Sequence, residues 1–67
     1  MSTASIIIIG DEILSNKFVD ENTPYLLTKC AELNLQVQSV QIIPDTLERI
    51  STVVKEESER STYVFTT

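Results

Sequence analysis

The chain has 67 residues, with ten acidic against five basic side chains, one glycine, one cysteine and no histidine. A chain of this size forms one domain at most and buries only about 60% of its unfolded surface. The single cysteine excludes an internal disulfide and the absence of histidine excludes Cys/His zinc sites and Ser/His/Asp triads. A net charge of −5 without any Lys/Arg cluster excludes a nucleic-acid footprint. The longest apolar run, Ile6–Ile9, is too short to span a membrane, and its flanks are not those of a signal peptide. A cytoplasmic protein with no membrane contact is expected, and a lone thiol fits a reducing compartment.

Residues 1–4 are expected to fray. Ser5–Ile9 is expected to be a strand: β-branched residues favour extended backbone, and an unbroken apolar run suits a strand buried on both faces. Gly10, the only glycine, is expected to let the chain turn sharply. A loop is predicted over residues 10–21. A first helix follows, with Thr23 as N-cap and Pro24 at its first position. Leu26, Leu27, Cys30, Ala31 and Leu33 form its apolar face, and Asn34 ends it in the left-handed conformation. Leu35–Ile43 reads as a second strand, less buried than the first. Its apolar phase changes from Leu35 and Val37 to Val40 and Ile42, which predicts a bulge or bend near Ser39. Asp45–Arg60 reads as a second helix. Asp45 and Glu48 are spaced as a capping box, Leu47, Ile50, Val53 and Val54 form its stripe, and residues 55–60 form a solvated end. Residues 62–66 read as a third strand, with Tyr63 and Phe65 in packing roles. The fold class is therefore α/β, a βαβαβ unit with a partial three-layer parallel sheet.

Three sets of polar residues could carry chemistry. Asp11 and Glu12 leave the first strand at its carboxyl end, where open α/β sheets bind ligands. Their alternative reading is a solvated strand exit; their functional reading is an edge that faces a ligand or magnesium, since hard cations take oxygen ligands. Asp20 and Asn22 precede a helix and read first as caps of its free amides. The same amides and helix dipole would attract phosphate. Asp45 reads first as the cap of the second helix. Cys30, on an apolar face, reads as core.

Gly10-Asp11-Glu12-Ile13-Leu14, followed by Asp20 and Asn22, resembles the opening of the molybdopterin-binding (MoaB/Mog-like) domain family. Its wording is closest to the N-terminal domain of eukaryotic FAD synthetase and to the CinA-like proteins. Leu26, Leu33, Val37, Pro44, Asp45 and Ile50 fall at family-like spacing, so the resemblance runs along the whole chain. Asn16 and Asn34 stand where the family usually has glycine, and asparagine is the side chain that best tolerates the left-handed region. The resemblance implies catalytic roles for Asp11 and Asp45. It implies substrate contacts from Gly10, Glu12, Asp20, Asn22, Thr66 and Thr67, a nucleotide or pterin ligand, and Mg2+ or another divalent metal in a parent protein. In the family a glycine-rich loop follows the Thr-Thr pair, so residues 1–67 are expected to be the N-terminal portion of such a domain, truncated before that loop and inactive alone. The parent function implied is FAD synthesis, with binding or hydrolysis of a nucleotide pyrophosphate such as FAD or ADP-ribose in this domain. The alternatives are a non-catalytic remnant that self-associates through an exposed sheet edge, and a molybdenum cofactor biosynthesis protein.

Overall fold

A computed structural model describes residues 2–67; Met1, part of the segment expected to fray, lies outside the described residues. Three parallel strands, β1 (Thr3–Ile9), β2 (Gln36–Ile43) and β3 (Tyr63–Thr66), form one sheet in the order β2-β1-β3. The isoleucine run thus takes the centre, as its lack of alternation predicts. The strand begins at Thr3 rather than Ser5, and Ala4 is already fully buried.

Three helices accompany the sheet: α1 (Asp11–Leu14), α2 (Asn22–Glu32) and α3 (Leu47–Arg60). The chain steps outward from β1 to β2, then back past β1 to β3. With crossovers of constant hand, this reversal puts α2 and α3 on opposite faces. Two separate apolar clusters result. Ala4, Ile6 and Ile8 meet Cys30 and Leu26 of α2 on one face, and Ile7 and Ile43 meet Val53, Ile50 and Val54 of α3 on the other. Two helices suffice to cover the isoleucines on both sides, and each buried isoleucine contributes roughly 1.5–3 kcal/mol.

The phase change in β2 is a bulge. Ala4 faces Val37 and Ser5 faces Ser39, so Gln38 is the extra residue, one position before the place expected from sequence. The bulge lets Leu35 and Val37 pack in the α2 cluster while Val40 and Ile42 stand beside Ile6 and Ile8, on the same side of the sheet. It also turns two successive polar side chains, Gln38 and Ser39, toward the end of α3.

Asn34 ends α2 as expected, with φ 60°. The Leu35 amide returns to the Cys30 carbonyl at 2.8 Å and the Asn34 amide to Ala31 at 3.1 Å, the paired bonds of a Schellman motif. Asn16, at φ 62°, ends α1 in the same way, with Lys17 bonded to the Glu12 carbonyl and Asn16 to that of Ile13.

Several expectations are corrected. The loop predicted after Gly10 starts with the single turn α1. Thr23 does not cap α2, since it already lies inside the helix; Glu21 holds the cap position without a side-chain bond, and Asp20, one residue earlier, accepts from the Asn22 and Thr23 amides. Asp45 does not cap α3. The cap is Thr46, in extended backbone, whose Oγ1 accepts from the Arg49 amide at 3.4 Å. The helix therefore begins two residues later than predicted, and Leu47 is 81% exposed rather than part of the stripe. On α2, Leu27, Ala31 and Leu33 are exposed, and only Leu26 and Cys30 pack in the cluster under the helix. Tyr63 is half exposed and stacks on Phe65 with ring centroids 6.4 Å apart. Glu57, placed by sequence on a solvated end, is buried.

Candidate functional site at the carboxyl edge of the sheet

All three strands deliver polar residues to one edge. β1 exits through Gly10 into Asp11 and Glu12, β2 through Pro44 into Asp45, and β3 ends in Thr66 and continues to Thr67. The edge is tied together by backbone bonds. Ile9 donates to the Thr67 carbonyl at 2.8 Å, Thr67 to Ile7 at 3.1 Å, and Gly10 to Ile43 at 3.1 Å.

One contact joins the two acids singled out from sequence. The Asp45 amide donates to Asp11 Oδ1 at 3.3 Å, bridging the exits of β1 and β2 across 34 positions of sequence. Released from capping by Thr46, Asp45 uses its backbone to hold Asp11, and both residues are exposed to solvent. A carboxylate with one long hydrogen bond keeps most of its acceptor capacity for a ligand.

Gly10 makes no unusual turn, and its missing Cβ leaves room for the end of the Glu12 side chain. Its φ of 171° is extended backbone that any residue adopts. A Cβ there would lie 2.9 Å from Oε1 of Glu12, so a side chain at position 10 would push the Glu12 carboxylate aside. The buried glycine thus lets Glu12 fold back over the strand exit, next to Asp11.

Asp20 and Asn22 are engaged differently. Asp20 Oδ1 accepts from the Asn22 amide at 3.0 Å and the Thr23 amide at 3.1 Å, and Oδ2 accepts from the Thr23 hydroxyl. The Thr23 hydroxyl, helped by the two amides, holds the Asp20 carboxyl below its ordinary value against the desolvation that would raise it. This carboxylate is consumed by its own helix start, and Asn22 contributes its backbone. Neither is linked to Asp11 or Asp45 by a hydrogen bond.

Among the described residues, no three His, Cys, Asp or Glu side chains come close enough to hold a metal ion by themselves. Asp11 and Asp45 are the acids that the strand exits place at this edge. Mg2+ keeps several waters and is commonly held by one or two carboxylates together with substrate phosphates. No helix among the described residues is long and apolar enough to cross a membrane.

Sequence reasoning missed a second polar group, at the opposite end of the sheet: Ser5, Gln38, Ser39, Glu57 and Ser61. The signal was present. Glu57 falls four residues after Val53 and seven after Ile50, on the stripe that faces the sheet.

Residues 5–67 match the family model described as "Probable molybdopterin binding domain". The chain is 33% identical over 64 residues to a "Probable FAD synthase" of Caenorhabditis briggsae, covering 96% of this chain and 12% of that protein. It is 36% identical over 61 residues to a "Putative competence-damage inducible protein" of Streptococcus pyogenes serotype M1, covering 91% of this chain and 14% of the other. In three dimensions it is similar to the crystal structure of CinA, a protein of unknown function from Thermoplasma acidophilum. The TM-score is 0.92 at 26% identity, over 97% of this chain and 38% of that one. The chain thus spans a small part of these relatives.

Proposed function

The chain belongs to the molybdopterin-binding domain family, and on that premise we propose that its carboxyl edge binds the phosphate of a nucleotide or pterin through a divalent cation held by Asp11 and Asp45. The observation that carries this reading is the bond from the Asp45 amide to Asp11 Oδ1, which joins the exits of β1 and β2 at the two acidic residues. Anionic carboxylates repel a free phosphate, so the two acids serve such a ligand by way of a cation. Mg2+ would supply charge neutralisation and polarisation of a phosphoryl oxygen. Asp11 and Asp45 would hold it. Glu12, folded back beside Gly10, and Thr66 and Thr67, on the neighbouring strand, would face the rest of the ligand.

The names of the relatives support one ligand class over another. FAD synthase among them favours a nucleotide pyrophosphate, FAD or ADP-ribose, bound or hydrolysed within a longer FAD-synthesising protein. A pterin phosphate, and with it a role in molybdenum cofactor synthesis, is the competing occupant of the same edge. Calorimetric titration of the chain with ADP-ribose, FAD and a pterin phosphate, each with and without Mg2+, tests the reading. Mg2+-dependent binding that is lost in Asp11→Asn supports it, and the tighter of the ligands identifies the class. Binding that is indifferent to Mg2+ and to Asp11→Asn contradicts it.

A second reading, self-association through a sheet edge, is favoured by the strand order. Both β2 and β3 are outer strands, with one side of each unpaired. Sedimentation across a range of concentrations checks it: a monomer throughout removes this reading and leaves the first untouched.

A further inference from the structure

Glu57 is the one carboxylate buried among the described residues, at 1% exposure. It lies under α3 at the amino end of the sheet, away from Asp11 and Asp45. The Ser39 hydroxyl of β2 donates to its Oε1, and Nη1 of Arg60 donates to its Oε2 at 3.0 Å. Ser5 Oγ of β1 lies 3.2 Å from Ser39 Oγ and 2.6 Å from Ser61 Oγ. Gln38 Nε2 reaches both Ser61 Oγ and the Arg60 carbonyl, the latter at 2.8 Å.

The direction of these bonds follows from what each group can do. The Arg60 carbonyl only accepts, so the Gln38 amide must present its nitrogen, and its second hydrogen goes to Ser61. Ser39 has one hydrogen for two neighbours, Ser5 Oγ and Glu57 Oε1; with it on the carboxylate, Ser5 turns its own hydrogen to Ser39, and Ser61 donates to Ser5. The chain of donors runs one way and ends on the carboxylate. A proton on Oε2 would confront Arg60 and find no acceptor; a proton on Oε1 would reverse Ser39, Ser5 and Ser61 in turn and leave the Ser61 hydroxyl, already accepting from Gln38, with no group to donate to. The acid form therefore strands one donor whichever oxygen carries the proton, and a buried donor without a partner is costly.

We propose that Glu57 is an acid-sensitive clasp: ionised, it ends a donor chain that fastens the last turns of α3 to β1 and β2, and on protonation it lets the end of α3 and the start of β3 come away from the sheet. Arg60, on its own helix, is the charged group bonded to it. β1 and β2 meet it with hydroxyls alone, Ser5 and Ser39. The Ser39 hydroxyl first, then Ser5 and the charge of Arg60, hold the Glu57 carboxyl below its ordinary value, against burial that would raise it. For a depressed carboxyl, the stabilisation is complete above the unfolded value, about 4.3 for glutamate, and is lost as pH falls through the lower folded value.

Amide-resolved NMR and hydrogen exchange on the 67-residue chain, from about pH 7 to about pH 3 across the carboxylate range, test the proposal. In the wild type, amides from Val54 to Val64 are expected to lose protection in one step below the ordinary glutamate range, before those of Ile6, Ile8 and Cys30. Glu57→Gln is expected to abolish that step. Ser39→Ala, which keeps the carboxylate but removes its nearest donor, is expected to move the step to higher pH. If Glu57→Gln does not fold, Ser39→Ala decides. An unshifted step there, a step retained in a folded Glu57→Gln, or simultaneous loss in both helices overturns the clasp.

Discussion

The two ends of the sheet use carboxylates in opposite ways. At the carboxyl end, Asp11 and Asp45 are exposed and share one long bond, from the backbone of one to the side chain of the other. At the amino end, Glu57 is buried and both of its oxygens are engaged by donors from two elements. No buried side-chain polar atom among the described residues lacks a partner. A carboxylate saturated by its own fold can fasten helix to sheet but has little left for a ligand. An unsaturated, exposed one contributes little to stability and keeps its acceptors available. The same chemical group is thus structural at one end and available for binding at the other, and the number of donors aimed at it makes the difference.

The largest effect expected from breaking this contrast is at the buried end. Glu57→Ala leaves the Ser39 hydroxyl without its acceptor and Arg60 without its partner. At about 1–3 kcal/mol for a buried unsatisfied group, a loss of that size is expected. Denaturant unfolding of the chain measures it, and a loss below about 0.5 kcal/mol, the range of ordinary surface changes, would show that the donors find other partners.

A smaller effect separates Asp45 from its neighbour. Thr46→Ala removes the cap of α3 and is expected to cost about 1 kcal/mol, whereas Asp45→Ala is expected to stay within about 0.5 kcal/mol, as for an exposed residue whose backbone makes the bond. Thermal melts of the two variants side by side check the ranking. The reverse order would return Asp45 to the capping role that its spacing to Glu48 suggests.

That displaced cap shows where the sequence was legible and where it was not. β1 was plain from four isoleucines, since few other arrangements bury such a run. The bulge in β2 was visible as a phase change because strand periodicity leaves little room for error. Asn34 was readable as a left-handed residue from the end of the helical pattern, and Asn16 through the resemblance, since the family usually has glycine at both positions. Caps are harder. Asp45 and Thr46 are both competent, and the bond from the Asp45 amide to Asp11, far away in sequence, is a contact that local spacing does not reveal. Glu57 was hidden for a related reason. Its stripe position pointed inward, but the hydroxyls that make burial tolerable belong to Ser5 and Ser39 on other strands. The edge that gathers Asp11, Asp45, Thr66 and Thr67 was legible as the strand-end rule of parallel sheets. The separate employment of Asp20 by its own helix was legible only as one of two readings.

The contrast between the two ends is tested most directly by paramagnetic broadening. Mn2+, a stand-in for Mg2+ with similar oxygen preference, is added to the chain while each backbone amide is observed by NMR. The division of roles described above expects selective broadening at Gly10, Asp11, Glu12 and Asp45, weaker effects at Thr66 and Thr67, and none around Glu57; Asp11→Asn should remove the pattern. Broadening centred on Glu57, or spread evenly over the exposed acids with no preference for the Asp11–Asp45 edge, would contradict it.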